Sequence, residues 1–191
     1  FIFFFFTSLL LLLQELRRLS IDIDIIVPIS VTIAEINEIL KNIVRTSSFT
    51  RYEEQERHLS QIPKAHFKLF YESPFDQSEV YVLLDVLFEE NPYSRLESID
   101  IICPFIDTTP PNVTVKVPSI ADILGDKLTA FAPNTTGILY DKEKEMEIIK
   151  QLFDIESLFD QLSTTNGVKD TFIRCAEQEL NYRQLTEMNY E

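Results

Sequence analysis

The stretch LSIDIDIIV, residues 19–27, decides the fold prediction because two kinds of side chain alternate along it. The β-branched residues of one parity are Ile21, Ile23, Ile25 and Val27. The polar residues of the other parity are Ser20, Asp22 and Asp24. Side chains alternate faces along a strand, so the stretch predicts a strand with one apolar face and two neighbouring carboxylates on the other. Like charges this close repel, and a divalent cation between them would stabilise the pair. The alternative is an edge strand with a solvated polar face and no metal.

The composition is typical of a globular protein, and the net charge argues against one class of partner, nucleic acid. The chain has 191 residues, 45% hydrophobic and 25% charged, enough for one domain with a helical appendage. A formal net charge of −14 argues against binding nucleic acid by bulk electrostatics. It leaves room only for a local basic strip, whose candidates are Arg17, Arg18, Lys64, Lys68 and Lys127. With three glycines in the chain, no glycine-rich phosphate loop can form.

The chain opens with thirteen almost wholly apolar residues, FIFFFFTSLLLLL. The run is too short to span a bilayer and lacks the flanks of a signal peptide, so we expect no membrane association. A strand to about Phe6 and a helix from about Ser8 to Arg18 are predicted instead. Thr7 or Ser8 would cap that helix, whose start could receive a phosphate. Because the sequence begins inside an apolar element, we expect residues to precede it.

The remaining elements are read from hydrophobic periodicity and turn residues. Helices are predicted over 31–44, from Ser119, over 142–161 and over 168–183; strands are predicted over 64–71, 79–89, 97–103 and 113–117, with 47–56 a strand or loop. The sequence therefore predicts an α+β fold, with a mixed-sheet core over 1–118 and a helical C-terminal part over 119–191. Cys103 and Cys175 are far apart in no metal-like or redox-like spacing, which favours a reducing cytoplasm.

Three further ionisable residues stand in apolar surroundings. Asp85 interrupts the run EVYVLLDVLFE and is either a structural buried carboxylate or a third carboxylate beside Asp22 and Asp24. Lys127 lies on the core-facing side of its helix, from which it could snorkel to the surface or hold its ammonium group against phosphate oxygens. Asp154 shares a helix face with Lys150, and the simplest interpretation is a weak surface ion pair. The apolar stripe of that helix is predicted as Ile149, Leu152, Phe153, Ile155, Leu158 and Phe159.

Four segments together resemble the AbiEii/AbiGii-type nucleotidyltransferases, which are toxins of bacterial abortive-infection and toxin–antitoxin systems with a polymerase-beta-like fold. The segments are TSLLLLLQELRRLSIDID, YVLLDVLFEEN, ADILGDKLTAF and EIIKQLFDIESLF. Their order and spacing carry the resemblance, which covers residues 1 to about 163.

The resemblance implies a role for each matched residue. Asp22, Asp24 and Asp85 would bind Mg²⁺, and together with Lys127 and Asp154 they would form the catalytic set. The implied nucleotide-binding residues are Thr7, Ser8, Ser20, Lys127 and Lys150. One departure stands beside this site: Phe5 and Phe6 occupy the positions of the family's Gly-Gly pair, where glycine lets the backbone approach a phosphate.

Two functions from different classes follow. The first is a cytoplasmic, Mg²⁺-dependent nucleotidyltransferase that moves a nucleotide from an NTP to an RNA (tRNA) or protein acceptor, as the toxin of a toxin–antitoxin pair. The alternative is a catalytically impaired protein of the same fold that acts by binding a partner such as the cognate antitoxin.

Overall fold

A computed structural model describes residues 1–13, 22–55, 62–104, 106–140, 142–185 and 187–188. Arg17, Arg18 and Ser20, singled out above, lie outside these residues. The chain divides into two compact units, one within Phe1–Thr7 and Arg17–Asn91 and the other within Ser8–Leu16 and Pro92–Glu191. Helix α1 (Phe5–Leu12) has residues in both.

In its described residues, the first unit consists of a mixed sheet, the start of α1 and one complete helix. Its strands are β1 (Ile2–Phe3), β2 (Asp22–Val27), β3 (Arg51–Gln55), β4 (Lys64–Glu72) and β5 (Glu79–Phe88). They lie in the order β3-β4-β5-β2-β1. The β2–β5 pair is parallel, whereas β1–β2, β3–β4 and β4–β5 are antiparallel. The alternation seen in residues 19–27 therefore does belong to a strand, within its described part.

Helix α2 (Ile33–Thr46) supplies the core of this unit with its apolar stripe. The buried cluster consists of Val27, Ile36, Leu40, Ala65, Phe67, Leu69 and Val86. The helix begins with a capping box, in which Glu35 N–H donates to the Thr32 hydroxyl and Thr32 N–H donates to the Glu35 carboxylate. The Thr32 backbone bond, with the hydroxyl bond second, holds the pKa of Glu35 below its usual value.

The second unit combines a hairpin with three main helices. Strands β6 (Leu96–Asp100) and β7 (Thr114–Pro118) pair antiparallel. They are followed by α3 (Ile120–Leu128), α4 (Glu145–Gln161) and α5 (Val168–Tyr182), and α3 packs against both of the others. The Ser119 hydroxyl accepts a hydrogen bond from Asp122 N–H, which confirms the predicted cap of α3.

Two sequence expectations are wrong at the level of single elements. The N-terminal strand stops at Phe3 and α1 already begins at Phe5, because a uniformly apolar run carries no period that separates strand from helix. Thr7 and Ser8 consequently lie inside α1 rather than capping it. In α4 the buried face is Asp154, Ile155, Ser157 and Leu158, whereas Ile149, Leu152, Phe153 and Phe159 are exposed. The polar side chain of Asp154 is buried on the face of α4 where periodicity predicts apolar residues.

The predicted domain boundary at residue 118 stays a prediction. The compact units divide after Asn91, with β6 and β7 in the second unit. In the described part of the chain, no helix has the length and apolar character needed to cross a membrane.

Gly125→Ala is expected to destabilise the protein through the α3–α5 contact. An added Cβ would lie 2.4 Å from the carbonyl oxygen of Val168 and 3.0 Å from the amide nitrogen of Phe172. Overpacking costs about 1–3 kcal/mol, against a gain of up to ~1 kcal/mol in helix propensity. Thermal unfolding should show a lowered Tm, with the exposed Lys169→Ala as control. A raised Tm would mean that α3 and α5 are not packed this closely.

Candidate active site

Three of the predicted carboxylates share one face of the sheet in the first unit. In the parallel β2–β5 pair, Asp24 lies directly opposite Asp85, and Asp22 lies opposite Leu83. Adjacent strands are ~4.8 Å apart, and residues two apart on one strand are separated by ~6.6 Å. Residues opposite one another in the register project from the same face, so Asp22, Asp24 and Asp85 do too. Ile25 and Val27 project from the other face and pack with the core.

Thr7 of α1 is fixed to the carboxylate strand. Its hydroxyl accepts a hydrogen bond from Asp24 N–H at 2.9 Å and donates to the Asp22 carbonyl oxygen at 3.4 Å. Its neighbour Ser8 is fully buried within the helix. The phosphate-binding helix start predicted at these residues is therefore misplaced, since the helix begins two and three residues earlier. Thr7 instead holds the backbone between the two strand carboxylates.

His66 contacts the third carboxylate, and the sequence interpretation missed this contact. It lies opposite Asp85 in the antiparallel β4–β5 pair, and its Nδ1 is 2.7 Å from Asp85 Oδ1. The side chains are 13% and 26% exposed. The available signal was parity, because KAHFKLFY places His66 on one strand face with Lys64 and Lys68.

The same face carries cations as well as carboxylates. By register, Lys64 and Lys68 project beside His66, and the Lys68 ammonium group lies 4.3 Å from the centre of the Tyr81 ring. Farther along, Arg51 donates to Glu79, which holds the pKa of Glu79 below its usual value. Two members of the predicted basic strip are therefore placed on the carboxylate-bearing face.

The second unit holds Lys127 and Asp154 as a buried ion pair. Lys127 Nζ donates to Asp154 Oδ2 at 2.9 Å and to Gln151 Oε1 at 3.0 Å. Both charged side chains are at most 3% exposed. Snorkelling of Lys127 and a surface ion pair at Asp154 are therefore wrong, since both groups are inside. Lys150 is exposed, and its predicted nucleotide contact stays a prediction.

Asp122, in the first turn of α3, is a second buried carboxylate of this unit. It is 1% exposed and accepts hydrogen bonds at both oxygens. The donors are Ser94 N–H at 2.9 Å, Arg95 N–H at 3.0 Å, the Ser119 hydroxyl at 2.6 Å and the Thr171 hydroxyl. Four donors to one carboxylate tie the segment before β6, the cap of α3 and helix α5 together.

A cavity of about 500 Å³ lies at the N-terminal end of α3 in this unit. Its lining includes Ser94, Ser119 and Asp170. None of the predicted site residues belongs to the lining, and Lys127 is near the other end of α3.

The donor chemistry of the first-unit carboxylates suits a hard cation. Within the described ranges, no three side chains of histidine, cysteine, aspartate or glutamate are arranged as a metal-binding group. Mg²⁺, however, is usually held by one or two carboxylates together with waters and substrate phosphates. Oxygen donors on one face of adjacent strands meet that requirement. The metal role of Asp22, Asp24 and Asp85 stays a prediction.

A family model agrees with the resemblance drawn from the four segments. The model of the family described as nucleotidyl transferase AbiEii toxin, type IV toxin–antitoxin system, matches residues 7–190. The crystal structure of JHP933 from Helicobacter pylori aligns over 97% of this chain and 84% of its own, with 12% identity and a TM-score of 0.47. An H. pylori protein described as a candidate nucleotidyltransferase aligns over 97% and 87%, with 12% identity and a TM-score of 0.46. No curated protein sequence gives a significant match.

Proposed function

Because the chain belongs to the AbiEii nucleotidyltransferase toxin family of type IV toxin–antitoxin systems, we propose that it transfers a nucleotide from an NTP to an RNA (tRNA) or protein acceptor in an Mg²⁺-dependent reaction. A cognate antitoxin would be its regulatory partner, and the cytoplasm its compartment. The observation that carries the proposal is the common face of Asp22, Asp24 and Asp85 on two adjacent parallel strands.

The carboxylates would hold Mg²⁺ and, through it, the triphosphate. In this class of chemistry the ion neutralises charge that develops on the phosphate oxygens. The acceptor hydroxyl attacks the α-phosphorus of the NTP, a new phosphorus–oxygen bond forms, and the bond to the departing pyrophosphate breaks. Asp85 is the carboxylate proposed to receive the hydroxyl proton, since positioned carboxylates serve as general bases.

For Lys127 and Asp154 of the second unit, the roles that the resemblance implies are kept as proposals. Lys127 would contact phosphate oxygens, and Asp154 would hold the lysine ammonium group in place. Support comes from their own geometry, since Lys127 Nζ lies 2.9 Å from Asp154 Oδ2 in the interior of the unit. Ser20 and Lys150 keep their proposed nucleotide contacts from the resemblance alone.

Incorporation of label tests this proposal. The full chain is incubated with each α-labelled NTP, Mg²⁺, and either total RNA or lysate protein. Wild-type protein is expected to label one of the two acceptor pools, and Asp24→Asn to lose the signal. The control is Asp76→Asn, which alters an exposed turn residue of the same unit. Absence of incorporation in every combination, or equal incorporation by Asp24→Asn, would overturn the proposed activity.

The second candidate function is partner binding without catalysis. Phe5 and Phe6 favour it, because they begin helix α1 where the resemblance of the four segments implies a Gly-Gly pair. A catalytically impaired chain of this family would still expose surfaces for an antitoxin, but it would not bind NTP with Mg²⁺. Nucleotide binding therefore separates the two candidates.

A further inference from the structure

We propose that His66 is a positioning residue for Asp85, fixing the orientation of this carboxylate for cation binding and nucleotidyl transfer. The inference rests on the proposed function and extends it to a residue outside the four matching segments. His66 would touch neither substrate nor reacting atoms. It acts through one hydrogen bond to the carboxylate that faces Asp24.

The direction of the hydrogen bond follows from the chemistry of the two groups. An ionised carboxylate only accepts, so the Nδ1 of His66 must carry the proton and donate to Asp85 Oδ1. The separation of 2.7 Å is typical of hydrogen bonds in which one partner is charged. Both side chains are largely shielded from solvent, which strengthens the bond compared with an exposed one.

This hydrogen bond selects one orientation of the Asp85 side chain. The last torsion of aspartate is broad and nearly two-fold, so the strand alone does not decide where each oxygen lies. With Oδ1 held by His66, the position of Oδ2 is fixed as well, and Asp85 would present it on the face that it shares with Asp22 and Asp24. A ligand fixed in advance loses less conformational freedom when the ion and triphosphate bind.

The core of the unit holds His66 itself in place. Its strand neighbours Ala65 and Phe67 project to the opposite face, where they are 5% and 0% exposed within the α2-packed cluster. The nine paired positions between β4 and β5 fix the register that sets His66 opposite Asp85. A shift of β4 by one residue would move His66 to the face opposite Asp85, so the contact depends on this register.

Variants at residue 66 separate positioning from simple packing. His66→Asn keeps an N–H donor close to the Nδ1 position, whereas His66→Leu has similar bulk and no donor. Asp76→Asn, at an exposed turn residue of the same unit, serves as the control. The readouts are calorimetric Mn²⁺ affinity without nucleotide, Tm, and the split of nucleotide incorporation into KM and kcat. Removal of a group that orients a metal ligand typically lowers metal affinity about 10–100-fold.

We expect His66→Leu to lose Mn²⁺ affinity and kcat by this factor, and His66→Asn to stay close to wild type. Wild-type Mn²⁺ affinity in His66→Leu, even with a lowered Tm, would overturn the assignment because the contact would then be merely structural. If His66→Leu does not fold, His66→Gln, whose donor lies one bond farther out, replaces it in the comparison with His66→Asn. Equal affinity of those two would likewise overturn it. Failure of the proposed function has a different signature, since wild-type protein would then neither bind Mn²⁺ nor incorporate nucleotide.

Discussion

Asp154→Ala is expected to lower the free energy of unfolding by about 3–5 kcal/mol, because it leaves the buried ammonium group of Lys127 without its carboxylate. Lys127 is 3% exposed, and it also donates to the uncharged Gln151 oxygen at 3.0 Å. An amide oxygen carries no formal charge, so it does not compensate the ammonium charge as a carboxylate does. Urea unfolding followed by circular dichroism measures the loss.

Two further variants make this prediction specific. Asp160→Ala removes a carboxylate from the exposed side of the same helix and should cost no more than ~1 kcal/mol. The double variant Lys127→Met with Asp154→Leu removes both charges, so it should be more stable than Asp154→Ala alone. A double variant as unstable as Asp154→Ala would show that cavity and packing effects, rather than the unpaired charge, cause the loss.

Asp122→Ala is expected to cost a similar amount, roughly 3–5 kcal/mol, because four donors lose a charged acceptor at once. Two of them are backbone N–H groups of Ser94 and Arg95, which have no rotamer with which to seek another partner. Asp122→Asn should also destabilise, since both aspartate oxygens accept hydrogen bonds and the amide NH₂ would face a donor. Chemical unfolding of the two variants provides the measurement.

Asp170→Asn is the matched control for Asp122. Both residues are acidic and lie in the first turn of a helix, where they interact with the helix dipole. Asp170 is exposed, so its replacement should cost only about 0.3–1 kcal/mol. If Asp122→Asn cost no more than Asp170→Asn, the hydrogen bonds of Asp122 would not be the source of its stabilisation.

Local patterns were sufficient to predict most elements of this fold. Strict alternation around Asp22 and Asp24 predicts β2, and the 3.6-residue period after Val31 predicts α2. The cap at Ser119 is predicted from residue type alone. Prediction fails in the apolar first thirteen residues, because they show neither the two-residue period of a strand nor the 3.6-residue period of a helix. The change from strand to helix at Phe5 therefore has no signal in the sequence.

The contacts within the candidate site depend on pairings between strands or helices that are far apart in the sequence. The sequence alone does not predict these pairings. His66 meets Asp85 because of the register between β4 and β5, nineteen positions apart. Lys127 meets Asp154 because α3 packs on α4, and that pairing also turns the exposed apolar residues of α4 outward. The apolar surroundings of these residues and the family resemblance single out Asp85, Lys127 and Asp154 as candidates. They do not predict which side chains these residues contact.

Calorimetric titration of the full chain with each NTP in the presence of Mg²⁺ tests the central claim, that the carboxylates of β2 and β5 bind a metal–nucleotide complex. We predict saturable, Mg²⁺-dependent binding of at least one NTP. Asp24→Asn should abolish this binding while its Tm stays close to wild type. Absence of binding by wild-type protein for all four NTPs would contradict the claim and favour a partner-binding protein impaired at Phe5 and Phe6.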